Sequence, residues 1–234
     1  MSNDSAAPHA VVTGSSSGIG RAIATLLLEQ GWRVSGLDLA APTLSHEGFA
    51  HATADLGNAA ALARAAAGLR DADALVHAAG VLRVGPLGEL DHAGGELMWR
   101  LHVDAATRLA DALVPAMAAR GRGRVVFVGS RVSHGMPGRG QYAATKAALV
   151  ALARSWAAEV ADRGVTINVV SPGATRTPML QDPARAASAP RLPPIGRLIA
   201  PEEIAALVGF LLSAPAAAIT GQDIAVCGGA SLHR

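Results

Sequence analysis

Short apolar runs alternate along this chain with longer stretches in which apolar residues recur at helical spacing. Residues 10–13, 33–37, 49–54, 75–76, 125–128, 165–170 and 224–227 read as strands, each only a few residues long and built mostly from Val, Ile, Leu and Ala. The intervening pattern predicts helices over 21–30, 58–68, 95–119, 142–161 and 201–213. Leu97, Leu101, Leu109, Leu113 and Val114 mark the apolar face of the third helix; Leu149, Leu152 and Trp156 mark that of the fourth. Gly31 suits a helix C-cap, and Pro201-Glu202-Glu203 suits a helix start. Residues 180–198 are rich in Pro, Ala and Arg with little periodicity, and read as a mobile loop or a short helix pair. Strand and helix alternate throughout, which predicts an α/β fold. The expected architecture is one doubly wound parallel sheet of about seven strands with helices on both faces. It occupies residues 10–234, after an N-terminal tail of residues 1–9. Ligands of such sheets lie beyond the carboxyl ends of the strands. Gly14, Asp38, His77, Ser130 and residues 171–173 should therefore gather along one edge.

Composition narrows this picture. The 234 residues suit one large domain; half are hydrophobic and only 3% aromatic, so the core must be aliphatic, with helices close to the sheet. The formal charge is only +2 and the basic groups are scattered. The densest run, Arg120, Arg122 and Arg124, is broken by glycines and lacks interleaved aromatics, so it reads as a solvated turn and not a nucleic-acid surface. Cys227 is the single cysteine, which excludes an internal disulfide and is compatible with a reducing, cytoplasmic setting. The first ten residues are neither a signal peptide nor a membrane span, and the apolar stretch 205–218 is interrupted by Gly209 and Pro215. No membrane or nucleic-acid partner and no metal site are expected.

Two local patterns carry chemistry. The first is strand, Gly14-Ser15-Ser16-Ser17-Gly18-Ile19-Gly20, helix, strand, Asp38. Glycines let backbone approach a pyrophosphate, and the helix N-terminus offers unpaired N–H groups and a positive dipole end. An acid ending the second strand can accept from a ribose 2′-OH, and would repel a 2′-phosphate. The pattern thus predicts a dinucleotide site that prefers NAD. Asp55 either reaches the adenine edge or caps the helix starting near Asn58. The small residues of His77-Ala78-Ala79-Gly80 let backbone pass beside a flat cofactor; His77 itself bonds to neighbouring backbone, supports the pocket edge or takes part in the chemistry. The second pattern is Tyr142-Ala143-Ala144-Thr145-Lys146, which holds the only tyrosine and the only lysine of the chain. Four residues apart on a helix, they share a face. A nearby ammonium favours a phenolate, so such a Tyr can exchange a proton with a substrate oxygen.

Taken in order, Thr13-Gly14-x-x-x-Gly18-Ile19-Gly20, Ser130, Tyr142-x-x-x-Lys146, Asn168-x-x-x-Pro172-Gly173 and Thr177-Pro178-Met179 resemble the classical short-chain dehydrogenase/reductase family over residues 10–231. The resemblance implies a Rossmann-type fold, an NAD(P) cofactor, and assembly as a homotetramer or homodimer. It implies that Tyr142 is the general acid/base, that Lys146 lowers the tyrosine pKa and binds the nicotinamide ribose, and that Ser130 holds the substrate oxygen. It places Thr177, Pro172, Gly173 and Thr175 beside the nicotinamide, and Asp55 and Leu56 at the adenine. Asp38, with Leu39 following it, resembles the acid of NAD-preferring members, and 180–198 corresponds to the substrate lid. Gly14, Ser16, Ser17, Gly18, Ile19, Gly20, His77, Ala78, Ala79 and Gly80 complete the expected cofactor shell.

Four positions depart from the family. His77-Ala78 stands where Asn-Asn is usual, and Cys227 stands where an acid usually precedes the last glycine pair. His102 stands where an asparagine usually helps hold a water in the proton path from the lysine. His102 is counted here with the catalytic residues, because histidine can hold such a water or titrate near pH 7 and join the relay. A shorter relay without that water, or a merely packed imidazole, are the alternatives.

The expected activity is reversible NAD-dependent hydride transfer between a small secondary alcohol and its ketone. An NADP-dependent carbonyl reductase and a non-catalytic dinucleotide-binding or scaffolding protein are the rivals. Among Arg83, Arg139, Arg185 and Arg191, one arginine can pair with a substrate carboxylate.

Overall fold

The computed structural model describes residues 7–182 and 191–232. Seven parallel strands form one sheet in the order β3-β2-β1-β4-β5-β6-β7. They are β1 His9–Thr13, β2 Arg33–Asp38, β3 Phe49–Thr53, β4 Ala74–His77, β5 Gly123–Val128, β6 Val165–Pro172 and β7 Asp223–Val226. The helices are α1 Gly18–Glu29, α2 Ala59–Ala66, α3 His92–Trp99, α4 Ala105–Ala119, α5 Gly140–Val160 and α6 Pro201–Leu212.

Side chains alternate across a strand, so each apolar run feeds two cores at once. Val11, Leu75, Val125, Phe127 and Ile167 face α2, α4 and α5, meeting Leu62, Leu109, Leu113 and Leu149. Ala10, Val12, Val76, Val126 and Val170 face α1 and α6, meeting Ile23, Leu27, Ile204 and Val208. This is why the central strands read as unbroken hydrophobic runs. The chain winds outward from β1 to β3 on one side and from β4 to β7 on the other. The reversal between β1 and β4 opens a crevice at their carboxyl ends.

Four sequence expectations change. His9, assigned to the tail, begins β1: its N–H donates to Asp73 Oδ2 at 3.0 Å, and its Nε2 lies 2.8 Å from Ser35 Oγ. Residues 1–6 of that tail lie outside the described residues. Asp55 does not cap α2. Asn58 does, its Oδ1 accepting from Ala60 and Ala61 N–H at 3.0 Å each, while Asp55 Oδ1 accepts from Gly57 N–H at 2.8 Å and tightens the preceding turn. The helix expected over 95–119 starts earlier, at His92, and contains a π-helical segment, Arg100–Asp104, between α3 and α4. Such a segment inserts one residue into the helical ladder, here beside the crevice. Of the expected lid over 180–198, Leu180 and Gln181 end the 3₁₀ turn Pro178–Gln181, whereas residues 183–190, Arg185 included, lie outside the described residues; just past the lid Ile199 bridges to Thr175.

The start of α1 is pressed onto the end of β1. A Cβ at Gly20 would collide with the Gly14 carbonyl, and no flexible side chain is there to give way. Gly20→Ala is therefore expected to lower the unfolding free energy by about 2 kcal/mol or more, read from urea denaturation followed by circular dichroism.

Candidate active site

The carboxyl ends of the strands surround a cleft of about 1320 Å³. That exceeds the range of roughly 300–1,000 Å³ usual for a single small ligand, and leaves room for a dinucleotide and a substrate together. Of the residues assigned to the site from the sequence, all but Ser16 and His77 lie on its wall.

At one end the turn between β1 and α1 runs through Gly14 (φ 69°) and Gly18 (φ 52°), a left-handed conformation that favours glycine. A Cβ at Gly14 would sit 3.0 Å from the Ala79 backbone, so the two loops at the switch point touch through bare main chain. The β1–α1 turn is held against β2 by Asp38. Its Oδ2 accepts from Ser16 N–H and its Oδ1 from Ala40 N–H, both at 2.9 Å. Ser16 is thus a correction to the expected cofactor shell. Its N–H is taken by Asp38, and its hydroxyl donates to Ala40 O at 3.3 Å, behind the cleft wall. Asp38 keeps further lone pairs for a ribose hydroxyl, with exposed Leu39 beside it.

His77 is the second correction. It is buried, and one set of hydrogen bonds satisfies it fully. Thr13 Oγ1 accepts from Ala78 and Ala79 N–H at 3.0 Å each, so its hydroxyl donates to His77 Nδ1 at 2.9 Å. That leaves Nε2–H to donate to Leu101 O at 3.0 Å, in the π-helical segment. His77 braces the loop that flanks the cleft without facing into it.

At the other end, Ser130 follows β5 and opens a 3₁₀ turn, its Oγ accepting from Val132 N–H at 3.2 Å. Tyr142 and Lys146 share the inward face of the first turns of α5, with Lys146 Nζ 5.8 Å from the centre of the tyrosine ring. Lys146 is buried, and Nζ donates to Val128 O at 2.9 Å. No carboxylate among the described residues forms an ion pair with it. Burial alone pushes its pKa down to about 7.

His102 is the third correction, and it concerns mechanism. The π-helical segment turns it fully inward, where its ring meets that of Tyr142 edge-on, with centroids 5.6 Å apart. Its Nε2 accepts from Val81 N–H at 3.1 Å. The neutral ring therefore carries its proton on Nδ1, which donates to Thr145 Oγ1 at 2.8 Å; Thr145 passes its own hydroxyl hydrogen to Tyr142 O at 2.8 Å. Gly80 leaves the space this needs, since a Cβ there would strike His102 Nε2. With both nitrogens engaged by protein, His102 has no lone pair left to hold a water. Burial first, then the charge of Lys146, then His77 hold its pKa well below 6.5, so it does not titrate near neutrality. Its bonds join the Val81 loop, the π-helical segment and α5. Thr145, the middle of this chain of donors, was missed from the sequence. Only the packed structure shows that its hydroxyl connects the imidazole to the Tyr142 carbonyl.

The two imidazoles make the fold sensitive to acid. Burial, followed by the Lys146 charge, takes His77 down to about 3. In the unfolded chain both histidines bind protons below about pH 6.5; in the folded chain they resist. Their contribution is complete above that pH and is lost as pH falls toward the folded values. Each is expected to steepen the acid decline of unfolding free energy by up to about 1.4 kcal/mol per pH unit as pH falls below about 6.5. Urea titrations across that range on the wild type and His102→Asn should show the variant losing about one proton of this slope, while its pH–rate profile stays where the wild type's is.

A family model described as enoyl-(acyl carrier protein) reductase matches residues 14–231. The 3-oxoacyl-(acyl-carrier-protein) reductase of Vibrio cholerae is 37% identical over 235 residues, covering 94% of this chain and 96% of that one. The 2,3-dihydro-2,3-dihydroxybenzoate dehydrogenase of Escherichia coli is 36% identical over 238 residues, with the same coverage of 94% and 96%. A solved short chain dehydrogenase/reductase family protein superposes with a TM-score of 0.89 at 38% identity, covering 97% of this chain and 98% of that one. The switch-point crevice and the Ser130, Tyr142 and Lys146 side chains at its wall agree with these matches: the chain belongs to the classical short-chain dehydrogenase/reductase family of oxidoreductases that bind a nicotinamide dinucleotide.

Proposed function

We propose that this oxidoreductase uses NAD and interconverts a small secondary alcohol and its ketone, with Tyr142 as the general acid/base. The observation that carries the cofactor choice is the Asp38 carboxylate, held at the end of β2 by two backbone N–H groups and facing the cleft. A fixed negative charge there accepts from ribose hydroxyls and repels a 2′-phosphate. This speaks against the NADP-dependent alternative. The wall suits a dinucleotide: Gly14, Gly18 and Gly20 keep side chains away from the pyrophosphate path. Asp55 and Leu56 flank the adenine end, and Pro172, Gly173, Thr175 and Thr177 lie near the nicotinamide end. The nicotinamide, when bound, accepts or supplies the hydride.

The chain's own side chains handle the proton. The Ser130 oxygen already accepts from Val132 N–H, so its hydroxyl hydrogen is available to a substrate oxygen. Tyr142 as phenolate removes the alcohol proton in oxidation, and as phenol returns it in reduction. Lys146 spends one N–H on Val128 O and keeps two, for a ribose hydroxyl and for the charge that favours the phenolate. His102 and Thr145 hold the start of α5 so that these groups meet. Leu82 and Val132, both buried at the cleft wall, exclude water from the reacting atoms. Reduction of an oxo group in one relative's name and oxidation of a dihydroxy compound in the other support this reaction class. The grouping of Ser130, Tyr142 and Lys146 at one wall speaks against a scaffolding role. In this reading the protein also works as a homotetramer or homodimer.

Tyr142→Phe is expected to cut kcat by about 10²–10⁴-fold while NADH binding, followed by fluorescence, persists; wild-type turnover in that variant would refute the role. Asp38→Ser should raise the ratio of kcat/KM for NADP over that for NAD, and an unchanged ratio would remove the basis for NAD.

A further inference from the structure

We infer that Arg83 and Asp182 act as a positioning pair: by joining two walls of the substrate end, they set how bulky an alcohol can reach Tyr142. The inference rests on the hydride-transfer reading and adds what selects the substrate. Around Tyr142 the cleft is lined by a small apolar cluster, apart from the two main cores. Its walls come from three different loops: Leu82 after β4, Val132 and Met136 after β5, and Met179 after β6. These segments lie past the ends of their strands, where the ladder of the sheet no longer fixes their separation. Two polar cross-links among the described residues join them instead. Gly85 N–H donates to Gly138 O at 2.9 Å, fixing the first loop to the second. Arg83 Nη1 donates to Asp182 Oδ2 at 3.1 Å, fixing the first loop to the turn that carries Met179, across 99 residues of sequence.

Arg83 is aimed at this partner by its own surroundings. Nη1 also donates to Leu82 O at 3.0 Å, which turns the side chain back along its loop. Its stem lies over the first turn of α3, where a Cβ at Gly94 would stand 2.8 Å from Arg83 Cγ. A side chain so confined loses less freedom on pairing. The two side chains are 28% and 31% exposed, so salt screens this pair less than one on the open surface. Arg83, one of the arginines that the sequence offers to a substrate carboxylate, is thus bonded within the protein. Neither Arg83 nor Asp182 lies on the cleft wall. Each acts through neighbours that do, Leu82 on one side and Met179 and Leu180 on the other. Cutting the link frees these walls to move apart. A wider gap loses contact with a compact alcohol and admits a bulkier one. Ser130, Tyr142 and Lys146 stay in place, so the effect falls on KM more than on kcat.

The test is steady-state kinetics with NAD and the full-length protein on matched compact and bulky alcohols: cyclohexanol against 4-tert-butylcyclohexanol, and butan-2-ol against 4-phenylbutan-2-ol. Arg83→Gln and Asp182→Asn should each raise KM for the compact alcohols by about two- to fivefold with little change in kcat. For the bulky ones kcat/KM should hold or rise. The double variant should be no worse than either single one, because both remove the same interaction. Arg83→Lys, which keeps the charge, and the exchanged Arg83→Asp/Asp182→Arg should recover part of the wild-type ratio of compact to bulky kcat/KM. Single effects that add in the double variant, or a ratio that no variant changes, would overturn the inference and leave the hydride reading intact. A fall in kcat at unchanged KM would do the same. No reduction of NAD by any alcohol of a broad cyclic and linear panel would instead sink the hydride reading, and the inference with it.

Discussion

One buried ammonium governs the reacting end of this protein. Lys146 is enclosed by β5, α5 and the histidine-braced loop, with a carbonyl as its hydrogen-bond partner and no acid paired to it among the described residues. Such a group destabilises the fold that holds it, because charge is drawn out of water without full compensation. Two extensive aliphatic cores, one on each face of the sheet, offset that cost. In the proposed reaction that unpaired charge serves a phenol and a cofactor hydroxyl. An adjacent carboxylate would make the site more stable and chemically weaker.

The same charge explains its neutral surroundings. His77 and His102 are both buried near Lys146, and its field adds to burial in keeping them unprotonated. Each has a single tautomer that satisfies every partner, and both bonding chains end on the segment or helix that frames the cleft. The π-helical insertion makes this possible. It carries His102, fully buried, with its ring edge-on to that of Tyr142. Where the family commonly uses an asparagine with a water, this chain has a ring large enough to bridge Val81 and Thr145 directly.

At the cofactor end the controlling feature is the absence of side chains. Gly14 lies against the Ala79 backbone, Gly18 against Thr177, and Gly20 against the Gly14 carbonyl. These contacts bring three chain segments together at the switch point and leave a smooth trough. Asp38 then does two things with one carboxylate: it fastens the glycine turn to β2 and presents charge to the cleft. Ser16, which looks like a ligand in the sequence, is consumed by that fastening.

How much of this could be read from the chain follows from how local each feature is. Period-two and period-3.6 patterns are properties of a few neighbouring residues, so strands, helices and their alternation were legible, and with them the parallel sheet and its ligand-bearing edge. The Tyr142–Lys146 spacing is local too, since one helical turn places both on a face. Whether Asp55 caps α2 was not decided locally, because Asn58 is also a good cap and lies nearer the helix start, which leaves Asp55 to the preceding turn. Nor was the fate of His77, His102 and the arginines, whose partners lie tens of residues away: Leu101 for His77, Thr145 for His102, Asp182 for Arg83. Sequence alone determined the sheet, the crevice and the residue types at its rim, because backbone geometry repeats at short range. Tertiary structure alone decided which nitrogen holds a proton, which arginine pairs with Asp182 and which serine is already bound, because hydrogen bonds depend on distances that only the packed chain sets.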